Sequence, residues 1–148
     1  MFNNIKLKNI IISVLVFMMF GFCGSAFART SSDTGMSFYF TTKPPRNVIY
    51  TDARPKDNAT SSYFNLKSGK NLSTGIIYSI VGSNYQDVGS KEITVKAPCC
   101  GFIRQNAYEN RVYSVRLKGE KVIREAYVQA FGKWSPDSVK QKGCINNP

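Results

Sequence analysis

Short runs of β-branched and aromatic residues, separated by turn-forming residues, constrain the fold of this sequence more than any other feature. Residues 36–41 and 92–97 alternate between apolar and polar side chains, as half-buried strands do. Residues 75–81 are apolar on both faces, which is typical of a central strand. Further candidate strands are 47–51, 61–66, 101–104 and 111–117. The pattern predicts a mainly β protein, a sandwich or compact barrel of about seven or eight short strands.

The segment 121–134 is consistent with either a helix or a strand. Six of its apolar residues fall at helical spacing and would form one stripe: Ile123, Ala126, Tyr127, Ala130, Phe131 and Trp134. No good N-cap precedes the segment, however, and residues 118–121 resemble a tight hairpin turn. The sequence therefore allows one C-terminal helix at 121–134 and leaves a strand open.

The first 28 residues have the organisation of a secretory signal peptide. Lys6 and Lys8 form a basic start, residues 10–22 form a short apolar run, and Ala26 and Ala28 supply the small residues before a cleavage site. We expect cleavage near Ala28 and a single β-rich domain at 29–148, located in the periplasm or secreted.

Three cysteines remain after this cleavage. An exported chain meets oxidising conditions, so Cys144 is expected to pair with Cys100 or with Cys99. A bridge between the adjacent Cys99 and Cys100 is the rarer alternative. The unpaired thiol is expected either to be buried or to join two copies into a homo-oligomer. Three cysteines without a histidine make an incomplete ligand set, so no metal site is predicted.

Basic residues exceed acidic ones, with 20 Lys and Arg against 9 Asp and Glu. Such an excess favours an anionic partner, for which an anionic glycan or lipid surface is expected rather than nucleic acid. The candidate ligand-binding residues would form one positive face if 111–117 paired with the segment after it, and they are Arg104, Arg111, Arg116, Lys118 and Lys121, with Arg124 beside them. The alternative is a solvated sheet face without a ligand.

The chain contains no histidine, which excludes Ser-His-Asp and Cys-His catalysis. The lysine-hydroxyl pair of a phosphate-binding loop is also missing from the glycine-containing segment 69–82. These absences favour a protein without catalytic residues and without a cofactor.

Several segments resemble the catalytic subunits of secreted ADP-ribosylating toxins of the cholera and pertussis type. They are 44–55, which is similar to the opening strand of that family, 72–74, 112–117, and 124–127 followed by 136–139. The resemblance implies an NAD-dependent transferase with Glu125 beside the ribose and Arg54 near the pyrophosphate. Tyr50 stands where the family carries its NAD-binding arginine, and Ile123 stands where it carries glutamate or glutamine.

These observations favour a small, basic, non-catalytic binding protein of a bacterial envelope, pilus or toxin system. Its expected partner is an envelope protein or an anionic glycan or lipid surface. A compact or degenerate ADP-ribosyltransferase using NAD is the alternative, and a structural subunit of a secretion apparatus or pilus is a third hypothesis.

Overall fold

The computed structural model describes residues 32–41, 47–96, 98–123, 127–138 and 143–147. Within these ranges the chain forms ten strands and one short 3-10 turn, Leu72–Thr74. In chain order the strands are β1 (Thr34–Phe40), β2 (Val48–Tyr50), β3 (Arg54–Pro55), β4 (Ser62–Lys70), β5 (Ile76–Gly82), β6 (Ile93–Val95), β7 (Cys99–Ile103), β8 (Ser114–Lys121), β9 (Val128–Ser135) and β10 (Ile145–Asn147). The mainly β class predicted from the sequence is confirmed.

The strands form two sheets that pack as a compact sandwich. Sheet I has the order β1-β9-β4-β7-β10, and sheet II has the order β2-β8-β5-β6, with β3 paired to β8. All pairs are antiparallel except β10, which runs parallel to β7. The prediction that 75–81 forms a central strand is correct, because β5 lies between β8 and β6.

The core lies between the inner faces of the two sheets. Alternate residues of β1 are buried there. The centroid of the Phe38 ring lies 5.6 Å from that of the Tyr78 ring in β5. Gly119 of β8 lies under Phe38, since a Cβ at this glycine would come within 3.0 Å of the Phe38 ring. The missing side chain in sheet II therefore makes room for an aromatic residue of sheet I.

Of the two alternatives for 121–134, the strand is correct and the helix is wrong over the part that the structure describes. Residues 128–135 form β9, which pairs with β1 on one side and β4 on the other. Val128, Ala130 and Trp134 of this strand are buried, whereas Ile123 and Tyr127 of the supposed helical stripe are 45% and 39% exposed. Two ladders of backbone hydrogen bonds and burial at alternate positions favour the strand over the helical spacing.

Residues 118–121 are also not a hairpin turn, because they continue β8 and pair with both β2 and β5. In this part of β8 the inner face carries Gly119 and Lys121, and the outer face carries Lys118 and Glu120. The outer residues are half-buried, and they contribute to the site described next.

Candidate functional site

A small cleft opens on the outer face of sheet II. Its floor is a row of paired residues that crosses three strands, Tyr50 of β2, Lys118 of β8 and Ser79 of β5. Glu92, just before β6, extends the row, with its carboxylate 3.6 Å from Lys118 Nζ. The cleft has a volume of about 260 Å³. Its lining residues are Tyr50, Ser79, Ile80, Val81, Tyr85, Asp87, Ser90, Glu92 and Lys118.

Tyr85 forms a wall of this cleft from the turn that follows β5. Its backbone is left-handed, with φ of 64°, a conformation that is unfavourable for a bulky side chain. Tyr85 is 58% exposed, and its ring lies edge-on to the Tyr50 ring, with 4.9 Å between ring centroids. The turn thus holds an exposed aromatic ring in a fixed position at a cost in backbone energy.

Arg116 supports the Tyr85 wall. Its guanidinium carbon lies 5.3 Å from the centroid of the Tyr85 ring, within the range of a cation–π contact. The same guanidinium donates from Nε to the carbonyl of Ser83 and from Nη1 to the carbonyl of Thr51. Arg116 therefore ties the Tyr85 turn to the segment after β2, and these donors are already used within the protein.

Lys118 is the cation in the floor of the cleft. Its Nζ lies 3.1 Å from a carboxylate oxygen of Glu120 and 3.6 Å from one of Glu92. Burial lowers the pKa of Lys118, but the hydrogen bonds and charges of Glu120 and Glu92 outweigh it and raise the pKa above its ordinary value. The ammonium is therefore protonated at neutral pH, and its charge is matched locally by two carboxylates.

The arrangement suits a ligand that combines an apolar face with many hydroxyl groups. The rings of Tyr50 and Tyr85 offer aromatic surface, while Asp87 and Glu92 offer carboxylate acceptors and Lys118 a donor. Because the charges in the cleft are mixed, it is not built as a concentrated anion site. Specificity would come from the orientation of hydrogen bonds rather than from net charge.

The five basic residues predicted as one binding face do not form one. Arg104 and Arg111 are exposed in the segment between β7 and β8, whereas Arg116 and Lys118 lie on the outer face of sheet II. Lys121 is 3% exposed, and its Nζ donates to the carbonyl of Thr41 at 2.6 Å. The condition for one positive face, that 111–117 pairs with the following segment, is not met, since β8 and β9 belong to different sheets.

The two residues implied by the toxin resemblance differ in how far the structure describes them. Glu125, like Arg124, lies outside the described residues. The Arg54 guanidinium donates to the carbonyls of Trp134 and Ser32, at 3.0 and 2.8 Å, and lies 5.5 Å from the centroid of the Trp134 ring. Burial lowers the pKa of Arg54, against the charges of Asp33 and Asp137. These contacts give Arg54 a role in joining β3 to sheet I.

One of the two predicted cysteine pairings is present. Cys100 and Cys144 form a disulfide, and Cys99 is free and half-buried. Within the described ranges, His, Cys, Asp and Glu side chains form no group of three that could hold a metal ion. No helix in those ranges is long and apolar enough to cross a membrane.

Of the residues in this cleft, sequence reasoning predicted Lys118 as ligand-binding but missed Tyr85, Ser79 and Glu92, and it considered Tyr50 at the position of an NAD-binding arginine. The sequence feature that could have indicated Tyr85 as a site residue is its position in the turn 83–86, directly after a strand with apolar residues on both faces. Pairing of Ser79 and Glu92 with Lys118 depends on strand register, which no local pattern in this chain specifies.

A protein family matches the greater part of the chain. The family is described as "Protein of unknown function (DUF2712)", and the match covers residues 24–138. No curated protein and no solved structure matches the sequence. Because the family match spans well over half of the 148 residues, the chain belongs to the DUF2712 family.

Proposed function

We propose that this chain is a small exported protein of a bacterial envelope that binds a glycan in the outer cleft of sheet II and catalyses no reaction. The observation that carries the proposal is the pair of tyrosine rings, Tyr50 and Tyr85, held 4.9 Å apart at the edge of a polar cleft. An exposed ring kept in place by an unfavourable backbone conformation is a feature of binding sites more than of packing.

The chemistry of the cleft favours a sugar over a purely apolar ligand. The apolar face of a sugar ring packs on tyrosine, and its hydroxyls bond to groups such as Asp87, Glu92 and Lys118. A volume of about 260 Å³ is small for a ligand pocket, so the cleft would take one or two rings of a longer glycan. The positive charge of the chain would add a long-range attraction toward acidic glycans.

Export is the second part of the proposal. The signal-like residues 1–28 support it, and so does the Cys100–Cys144 bond, because disulfides persist in oxidising compartments. Amino-terminal sequencing of the native protein should begin at Arg29. A native protein that begins at Met1, with its thiols reduced, would contradict export.

The binding site is tested with two matched tyrosine variants. Tyr85→Ala removes a wall of the cleft, whereas Tyr113→Ala removes a tyrosine of similar exposure that also lies edge-on to another ring, that of Tyr108. Binding of the mature protein to soluble peptidoglycan fragments and lipopolysaccharide oligosaccharides is measured by calorimetry. We expect the Tyr85 variant to bind about tenfold more weakly or worse, as for a central aromatic contact, and the Tyr113 variant to match the wild type.

Equal binding by the two variants would exclude the cleft as the site. Tyr85→Phe serves as a second check, because it keeps the ring and should retain most of the affinity. Alanine at position 85 keeps the cost of the left-handed backbone, whereas glycine relieves it, so Tyr85→Gly should be more stable than Tyr85→Ala. A Tyr85→Gly variant that is stable but does not bind the glycan would separate the energetic cost of the left-handed backbone from the contribution of the ring to binding.

A further inference from the structure

Lys56 and Asp137 form a buried contact between the two sheets, away from the cleft. Lys56 directly follows β3 of sheet II, and Asp137 follows β9 of sheet I. Their side chains are 0% and 3% exposed, and Lys56 Nζ lies 2.5 Å from Asp137 Oδ1. The two residues are 81 positions apart in the sequence, so the contact joins distant parts of the chain.

The surrounding groups hold both side chains in one orientation. Lys56 Nζ also donates to the carbonyls of Thr60, at 2.5 Å, and Pro136, at 3.0 Å. The second carboxylate oxygen of Asp137, Oδ2, accepts the backbone N–H of Asp57 at 2.9 Å. The amine therefore faces one oxygen of the carboxyl group while a backbone donor binds the other.

Burial changes the balance between the charged and the neutral forms of this pair. Loss of water lowers the pKa of Lys56, while the hydrogen bond and charge of Asp137 oppose that change. Transfer of one proton from Lys56 to Asp137 gives a neutral amine next to a neutral carboxylic acid, and a low dielectric favours neutral pairs over charged ones. A neutral amine is a nucleophile, and fixed proximity raises its effective concentration by orders of magnitude.

We propose that Lys56 and Asp137 condense to form an intramolecular amide that covalently joins the two sheets. Nζ attacks Cγ of the protonated carboxyl group, and a tetrahedral intermediate forms whose oxyanion, at Oδ2, is stabilised by the Asp57 N–H. A proton from Nζ passes to Oδ1, the Cγ–Oδ1 bond breaks, and one water leaves. The product is an amide between Lys56 Nζ and Asp137 Cγ, with Oδ2 as its carbonyl oxygen. No oxidant or other reactant is needed.

The hydrogen-bond network remains satisfied after this reaction. The lysine changes from three N–H donors to one, so the carbonyls of Thr60 and Pro136 cannot both keep a bond to Nζ. Each has a second donor in place: Gln105 Nε2 donates to the Thr60 carbonyl, and Ser62 Oγ donates to the Pro136 carbonyl. The amide therefore forms without leaving a buried carbonyl unpaired.

The test is the intact mass of the mature wild-type protein after reduction and denaturation. We expect the main species to be lighter than the sequence mass by one water molecule. Tandem mass spectrometry of a digest should then yield a branched peptide that contains Lys56 and Asp137. A full sequence mass would overturn the proposal and leave a buried ion pair.

Loss of water from an aspartate as a succinimide gives the same mass, and the digest distinguishes the two products. A linear peptide that carries the mass loss, with trypsin cleaving normally after Lys56, would also overturn the proposal. Lys56→Met should restore the full mass, and Asp137→Asn should lose ammonia in place of water. If a variant does not fold, the wild-type measurement still decides the question.

Discussion

Cys99 and Cys100 are adjacent in the sequence but lie on opposite faces of β7. Cys99 pairs with the buried Leu66 of β4 and packs against the core, whereas Cys100 lies on the outer face of sheet I and is bonded to Cys144. Successive side chains of a strand point to opposite faces, so Cys144 can reach one cysteine of the pair from outside and not the other. Strand alternation thus decides between the two pairings that the sequence left open.

The disulfide is expected to contribute strongly to stability. It joins residues 44 apart, and closing a loop of that length stabilises the folded state by about 4 kcal/mol in the chain-entropy treatment. Cys144→Ser should therefore lower the free energy of unfolding by several kcal/mol in urea titration. Cys99→Ser is the control, because it leaves the bond intact and should change stability far less. Equal losses in the two variants would contradict this assignment.

The Cys99 thiol is expected to react slowly in the folded protein. Burial raises its pKa, and the thiolate is the reactive form, so alkylation at pH 8 should be much slower than in urea. The folded chain holds the thiol proton more tightly than the unfolded chain does. The contribution of the protonated thiol to stability is therefore present at neutral pH and is lost as the pH rises through the raised pKa. Rapid labelling of native protein, or a Cys99-linked dimer on non-reducing gels, would instead show an accessible thiol.

Long-range attraction to polyanions should depend on Arg104 and Arg111, the two predicted binding residues that are exposed. We expect Arg104→Glu with Arg111→Glu to elute from heparin at lower salt than the wild type. Lys67→Glu with Lys133→Glu changes the net charge equally, at exposed positions of sheet I, and is the matched control. If both double variants shift equally, net charge alone determines retention.

Most strands could be predicted from the sequence, because runs such as 36–41 and 75–81 carry their own periodicity. The segment 121–134 could not, since Gly132 occupies an inner position of β9 and interrupts the apolar alternation there. The apolar residues of the segment therefore matched the spacing of a helix better than the alternation of a strand. The cleft could not be predicted from the sequence either, because Tyr50, Ser79 and Lys118 come together only through the register of three strands.

Gly132 itself provides a test of the strand assignment. A Cβ at this position would lie 2.0 Å from the backbone carbonyl oxygen of Asn65 in β4, so Gly132→Ala must push β9 and β4 apart. We expect the free energy of unfolding to fall by about 3 kcal/mol, at the upper end of overpacking effects. Gly35→Ala in β1 is the control, because a Cβ there meets no atom within 4 Å. A stable Gly132→Ala protein in thermal unfolding would contradict the β4–β9 contact.

The Tyr78 hydroxyl is a buried polar group without a hydrogen-bond partner in the described part of the chain. Burial, with a smaller contribution from Cys99, raises its pKa far above the ordinary value, so the hydroxyl stays neutral. Removing an unpaired buried hydroxyl relieves its desolvation cost, so Tyr78→Phe should stabilise the fold by about 1 kcal/mol. Thermal unfolding should show a melting temperature higher by a few degrees, about what 1 kcal/mol produces in a domain of this size. Tyr113→Phe, at an exposed ring, should leave it unchanged. A lower melting temperature for Tyr78→Phe would mean that the hydroxyl has a partner, such as a buried water, that stabilises the core.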